Sequence, residues 1–470
     1  MQARTARGRK DSSAVSAIVT INPATGAEIE RIGYMSAATV DERLSTAAEA
    51  SRLWGSLAPI RRAAFLHDVA AKLRERAGAL ALVATTEMGK PLAQARAEIE
   101  KCAWCCDYFA DNGPAMIAPQ EAHAEPARSY VAFRPLGVVL AIMPWNFPFW
   151  QVFRAAAPAL LTGNAMLLKH AWNTTRCGIE IERVFREAGA PDGLFTTLLM
   201  TNDDVDALIA DSRISAVTLT GSERAGVAVA SAAGAALKKC VLELGGSDAF
   251  VVLEDADIER AAKTAVKARF QNAGQSCIAA KRFIAVQPVY DAFLARFVEL
   301  VGEERIGDPL DETTTIGPCA RGDLRDGVHA QVRGTLERGG SLLVGGNAVD
   351  GAGFFYEPTV VSDVRPGMPM FDEEVFGPAA AVVRATDADE AIALANESSY
   401  GLGFSLWTRD AAAAEEYAAR VEAGSVFVNG MVASDPRLPF GGVKKSGYGR
   451  ELSSFGVHEF ANVQTVVVSP

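Results

Sequence analysis

Cys277 closes the run Asn272-Ala273-Gly274-Gln275-Ser276-Cys277. A small-residue turn of this kind, following a predicted helix over 258–272, can expose a thiol and steady its thiolate with local amides. A lone cysteine is as readily a small buried hydrophobe. Glu243 lies in Leu242-Glu243-Leu244-Gly245-Gly246-Ser247, a carboxylate inside an apolar strand that ends in a Gly pair. Burial there raises a carboxyl pKa towards the range of a general base; the alternative is a strand residue facing solvent. Asn146 is bracketed in Pro144-Trp145-Asn146-Phe147-Pro148, a rigid aromatic turn that either aims an amide donor at a developing oxyanion or is a packed loop. Thr218-Leu219-Thr220-Gly221-Ser222 runs a strand into a Gly-Ser turn and a helix, whose first amides could receive a phosphate or could simply shape a turn.

Other chemistries lack their residues. No G-x-G-x-x-G follows a strand, and 221–226 lacks the Lys-Ser/Thr of a phosphate-loop NTPase. Cys102-Ala103-Trp104-Cys105-Cys106 has no second pair and no nearby histidine, so it reads as a core-facing helix. His67, His123, His170, His329 and His458 form no spaced cluster, and no metal is expected. Seven scattered cysteines are a poor disulfide framework and point to a reducing cytoplasm. A formal net charge of −11 argues against nucleic acid. The apolar stretch 137–168 is interrupted by Pro144, Asn146, Pro148, Arg154, Pro158 and Asn164, so no membrane helix is expected. The basic first 17 residues lack the apolar core of a secretory signal and read as a tail or, alternatively, a transit peptide.

The elements that must position these residues alternate. At 470 residues the chain has room for about three domains at roughly 150 residues each. β-Branched runs at 138–142, 166–169, 216–219, 241–244, 249–253, 282–286, 341–344 and 426–429 read as strands. Helical stretches at 224–238, 258–272, 289–303 and 411–423 lie between them, the pattern of an α/β fold with mostly parallel sheets. Residues 37–101 form a long helical region with few strand signals. No Pro-rich linker appears, so the domains must be interleaved.

The four motifs around Asn146, Glu243, Cys277 and Glu374-Val375-Phe376-Gly377-Pro378 occur in one order, followed by Pro439-Phe440-Gly441-Gly442-Val443-Lys444-Lys445-Ser446-Gly447. In this the chain resembles the aldehyde dehydrogenase superfamily, from about Ile21 to its end. The resemblance implies a Rossmann-like cofactor domain (1–117 and 136–242), an α/β catalytic domain (243–450) and a small β oligomerisation arm (118–135 and 451–470). It also implies a homodimer or homotetramer. Cys277 would be the nucleophile, Asn146 and the Cys277 amide the oxyanion donors, and Glu243 the base that activates water to hydrolyse a thioester.

For NAD or NADP the matching positions are Trp145, Lys169, Gly221, Ser222, Glu374 and Phe376. Trp172 stands where many NAD-preferring members have a Glu on the ribose hydroxyls, so less repulsion meets a 2′-phosphate, although its bulk could obstruct one.

Within the family, Lys169-His170-Ala171, Gly245-Gly246-Ser247-Asp248 and Asn429-Gly430-Met431-Val432-Ala433-Ser434-Asp435 resemble the shorter bacterial members that oxidise succinate semialdehyde. Arg154 and Ser434 match the pair that holds the substrate carboxylate there. Gln271 replaces a second arginine found in some relatives, leaving Arg154 or an unidentified donor to bind the carboxylate. Ala279 replaces a cysteine, so no disulfide switch is expected at Cys277. The competing functions are a broader aldehyde or glutarate semialdehyde dehydrogenase and, in another class, a cysteine-dependent esterase or acyl transferase.

Overall fold

The computed structural model describes residues 17–122 and 128–469. His123 and the basic segment 1–16 lie outside the described residues. Two large sheets carry the molecule. The first has six strands in the order Gly447–Tyr448, Lys239–Glu243, Ile214–Thr220, Val138–Met143, Ala165–His170 and Phe195–Thr197. All pairings except that of Gly447–Tyr448 are parallel. Its central strands are near-continuous apolar runs because helices cover both faces. Chain order reverses between Ile214–Thr220 and Val138–Met143, and ligands of open α/β sheets bind beyond the carboxyl ends of strands at such a reversal. Asn146, Lys169 and Ser222 follow or occupy those ends.

The second sheet has seven strands in the order Ser341–Val344, Thr359–Ser362, Ala379–Ala385, Ala280–Val286, Asp248–Val252, Gly403–Trp407 and Ser425–Val428. Only its first pair is antiparallel. Cys277 and Glu374 precede the strands Ala280–Val286 and Ala379–Ala385, so they stand at the amino edge of this sheet. A third, three-stranded sheet joins Gln120–Ala122, Arg128–Pro135 and Ala461–Val468. The short strand Gly447–Tyr448 lies within the span expected for the catalytic domain, 243–450, yet it pairs in register with Glu243 and Leu242 of the first sheet.

Residues 37–101 fold into the helices Ala37–Gly55, Pro59–Glu75 and Ala77–Met88 and the start of Leu92–Met116. Gly89 at φ 84° ends the third in the left-handed region that favours glycine. Cys102, Cys105 and Cys106 face the core from the fourth. All four expected helices stop early, those at 224–238 and 289–303 at Ala235 and Val301. The one at 258–272 ends at Phe270, because Asn272 and Ala273 adopt φ 57° and 53°; the one at 411–423 ends at Ala418. Among the described residues no helix is long and apolar enough to cross a membrane.

Candidate active site

The loop from Asn272 to Cys277 is held in a costly backbone. Asn272, Ala273 and Gly274 are consecutive left-handed residues, at φ 57°, 53° and 71°, and non-glycine residues there cost of order 1–3 kcal/mol each. Hydrogen bonds over-determine the loop. The Asn272 side-chain amide donates to the carbonyls of Asn146 at 2.8 Å and Gln275 at 3.0 Å. Arg269 is fully buried and donates to the carbonyls of Val375 at 2.9 Å and Ala280 at 3.1 Å, tying the loop to the Glu374 segment. Lys281, also fully buried, donates from Nζ to the carbonyls of Cys277 at 2.6 Å and Ser276 at 2.9 Å.

The Cys277 thiol emerges from this loop into a cavity of about 600 Å³. Burial pushes the thiol up to about 11, with the positive charges of Arg154 and Lys281 pulling the other way. The backbone N–H of Cys277 makes no hydrogen bond among the described residues. Asn146 is fixed beside it. Its Oδ1 accepts from Gln151 Nε2 at 3.0 Å, and its Nδ2 donates to the Gln275 carbonyl at 3.1 Å. A side-chain amide has two N–H bonds, so one remains for an oxyanion. The segment after Asn146 is anchored by Glu98, whose Oε1 accepts the N–H groups of Phe149 and Trp150, both at 2.9 Å. Those donors head the helix Trp150–Thr162 and have no partner within it.

Glu243 is 2% exposed, which removes the solvent-facing alternative. Neither carboxylate oxygen has a hydrogen-bond partner among the described residues. Burial holds its pKa well above the usual carboxylate range, only partly offset by Arg154. Once ionised, a carboxylate whose pKa is raised in this way is a stronger base than a solvated one, the property a general base needs.

Arg154 lines the cavity, but its charge is committed. Its guanidinium pairs with the buried carboxylate of Glu451, donates to Thr220 Oγ1 at 3.2 Å and lies 4.5 Å from the centre of the Phe440 ring. Ser434 also lines the cavity and is buried. Its hydroxyl oxygen accepts from Trp150 Nε1 at 3.0 Å and from Lys101 Nζ at 2.9 Å. Gln271 is on the wall as well.

The cofactor positions form a second cluster. Gly246 donates its N–H to Glu374 Oε1 at 2.9 Å, and Lys281 Nζ stands 3.7 Å from the same oxygen. A Cβ at Gly245 would come within 2.4 Å of Glu374 Oε2, so a side chain there would displace the carboxylate. Trp145 and Phe376 meet edge to face, with centroids 5.6 Å apart. Ser222 caps the helix Glu223–Ala235 and accepts from Ala225 N at 3.3 Å. The Gly221 N–H is taken by the Glu243 carbonyl at 2.9 Å, so the donors left for a phosphate are those of the helix's first turn. Lys169 pairs with Asn202 Oδ1. Trp172 is 44% exposed and has the Arg321 guanidinium 5.7 Å from its ring centre. A carboxylate fixed by a glycine cradle, an aromatic pair and an open helix N-terminus fit a dinucleotide with ribose, nicotinamide and phosphate parts.

Cys277, Arg154 and Ser434 thus line one cavity, and Asn146 is hydrogen-bonded to the loop that carries Cys277. Lys101, Lys281, Glu98, Gln151 and Glu451 belong to no motif singled out in the sequence; Lys101, Glu98 and Glu451 meet the site through contacts between distant segments, whereas Lys281 and Gln151 reach it from four and five residues along the chain.

Residues 10–466 match the aldehyde dehydrogenase family. A succinate semialdehyde dehydrogenase [NAD(P)+] of Escherichia coli strain K12 is 51% identical over 448 residues, covering 95% of this chain and 97% of that protein. A succinate-semialdehyde dehydrogenase [NADP(+)] of Mycolicibacterium paratuberculosis is 47% identical over 453 residues, covering 96% of each. The crystal structure of succinic semialdehyde dehydrogenase from Streptococcus pyogenes with NADP+ superposes with a TM-score of 0.94 at 37% identity, covering 97% of this chain and all of that one.

Proposed function

Because the chain belongs to the aldehyde dehydrogenase family, we propose that it oxidises succinate semialdehyde to succinate with reduction of NAD or NADP. The observation that carries this is the 51% identity, over 95% of the chain, to an enzyme named for that reaction. The arrangement of Cys277, Asn146 and Glu243 supplies the steps.

An aldehyde carbon releases hydride only after it becomes tetrahedral. Cys277 Sγ gives up its proton to water in the cavity and forms that bond, the carbon–oxygen π bond breaks, and the oxygen takes the negative charge. The free N–H of Cys277 and the second N–H of Asn146 hold the oxyanion, and Gln151 keeps the Asn146 amide from turning. NAD or NADP, when bound, would supply the hydride acceptor; loss of hydride would let the carbon–oxygen double bond reform and leave a thioester on Cys277. Glu243 takes a proton from water as it attacks the thioester, the carbon–sulfur bond breaks, and Cys277 leaves as thiolate. Glu374, steadied by Gly246 and Lys281, holds a ribose; Trp145 and Phe376 shape the nicotinamide end; Lys169 and Ser222 serve the adenosine ribose and the phosphates. Trp172 offers no carboxylate to repel a 2′-phosphate, which admits NADP beside NAD. Arg154 and Ser434 line the wall of the cavity assigned to the substrate's carboxylate, with the Arg154 charge committed to Glu451.

The edge strand Ala461–Val468, with Val463 and Val467 more than half exposed, supports a homodimer or homotetramer built through the third sheet. A cytoplasmic location is supported by seven cysteines that are all free. The test of function is the initial rate of cofactor reduction with succinate semialdehyde, glutarate semialdehyde and butanal, each with NAD and with NADP. Preference for succinate semialdehyde supports the assignment. Equal rates would reduce it to a broad aldehyde dehydrogenase, and acyl-ester cleavage without nicotinamide turnover would favour the esterase alternative.

A further inference from the structure

The cavity beyond Cys277 has a cation, Lys101, with which no carboxylate among the described residues forms an ion pair. Arg154 is neutralised by Glu451, and Lys281 stands beside Glu374. Lys101 projects into the same cavity from the helix Leu92–Met116. Among the described residues it forms no ion pair. Its ammonium lies 4.3 Å from the centre of the Trp150 ring and donates to Ser434 Oγ at 2.9 Å.

The hydrogen bonds at Ser434 give the site a sign. A hydroxyl oxygen has two lone pairs and one proton. Lys101 Nζ and Trp150 Nε1 both donate to Ser434 Oγ, so its lone pairs are occupied and its own proton must be donated elsewhere. No acceptor for that proton exists among the described residues. An ammonium carries three N–H donors, and only one is used on Ser434. The far end of the cavity therefore presents unsatisfied donors and a net positive charge, and the ligand chemistry that satisfies both is a carboxylate. Burial, with the charge of Arg154 behind it, pulls Lys101 down to about 8. An anion at Nζ favours the protonated form.

We propose that Lys101, together with the Ser434 hydroxyl, binds the distal carboxylate of the substrate, and that Arg154 supports this wall without supplying its uncompensated charge. The inference rests on the assignment of an aldehyde acid as substrate and identifies the donor that the replacement of a second arginine by Gln271 leaves open.

The test compares wild type, Lys101→Met and Lys101→Arg in the ratio of kcat/KM for succinate semialdehyde to kcat/KM for butanal. Lys101→Met keeps a stem to pack on Trp150 and removes the charge. Losing one charge-assisted contact is expected to lower the ratio by about 30-fold, with the change in KM for the semialdehyde. Lys101→Arg is expected to recover most of it. A parallel fall for both aldehydes in Lys101→Met, without recovery in Lys101→Arg, would mean a structural role and overturn the inference. So would an unchanged ratio. Ser434→Ala gives an independent readout in a variant with an intact helix, with an expected fall of about fivefold in the same ratio; no change there also counts against the site. Wild type that already fails to prefer the semialdehyde overturns the substrate assignment itself, whereas a wild-type preference retained in Lys101→Met overturns only the role of Lys101.

Discussion

Lys281 Nζ donates to the main-chain carbonyl of Cys277 at 2.6 Å. The same ammonium is 3.7 Å from Glu374, so one buried cation joins the nucleophile's loop to the carboxylate assigned to the cofactor. Lys281→Met is expected to lower kcat by about tenfold or more and raise KM for NAD together, since misplacement of either group weakens the reacting geometry. Steady-state kinetics with each substrate varied separates the two effects. A change in kcat alone would mean that Glu374 keeps its place without Lys281.

The thiol of Cys277 is pushed up to about 11 by burial, so at neutral pH the free protein holds it protonated. The thiolate is the reactive form. Alkylation of Cys277 by iodoacetamide is therefore expected to accelerate about tenfold per pH unit from pH 7 to pH 10, followed by mass spectrometry of the Cys277 peptide. A plateau by pH 8 would contradict the assignment of a neutral resting thiol. Cys102, Cys105, Cys106 and Cys177 are buried and should remain unmodified in the folded protein.

Arg154 and Glu451 are paired with no exposure to solvent worth the name, at 2% and 0% for the side chains. Removing the cation leaves two buried carboxyl groups, Glu451 and Glu243, without it. Arg154→Ala is thus expected to cost about 3–5 kcal/mol of stability, measured by urea denaturation, before any effect on substrate is read. Arg154→Met with Glu451→Gln should recover part of the loss. Wild-type stability in Arg154→Ala would show that the pair is not needed by the fold.

The strands around Asn146 and Glu243 are legible in the sequence because each is a contiguous apolar run that ends at Pro144 or at the Gly245-Gly246 pair. Cys277, Glu243 and Asn146 are legible for the same reason, each sitting within a short motif. Lys101 is not, since it meets Ser434 across 333 residues of chain and no local pattern records that contact. The early end of the helix at Phe270 is equally hidden. Asn272 and Ala273 enter the left-handed region as Asn272 donates hydrogen bonds to Asn146, Gln94 and Gln275, a demand of the folded loop that overrides local propensity. The committed state of Arg154 follows from Glu451 at the far end of the chain, which a motif eight residues from Asn146 does not reveal.

Glu243 carries a pH signature. Its folded pKa is raised well above the ordinary value by burial, so between the two values the folded state binds the extra proton. Stability contributed by this group is present below the unfolded pKa, near 4.3, and is lost as pH rises towards the folded value. Glu243→Gln removes that loss. Its Tm is expected to exceed the wild type's by more at pH 8 than at pH 5, checked by thermal melts across that range. An equal offset at both would mean that the carboxyl is not held protonated.

The central claim is a thioester on Cys277 that Glu243 clears. Mixing Glu243→Gln with succinate semialdehyde and NAD, quenching in acid after one turnover and mapping peptides by mass spectrometry tests it most directly. The predicted result is a stoichiometric burst of NADH and a gain of about 100 Da, one succinyl group, on the peptide bearing Cys277. A burst with no adduct on that peptide, or an adduct on another residue, would contradict the account.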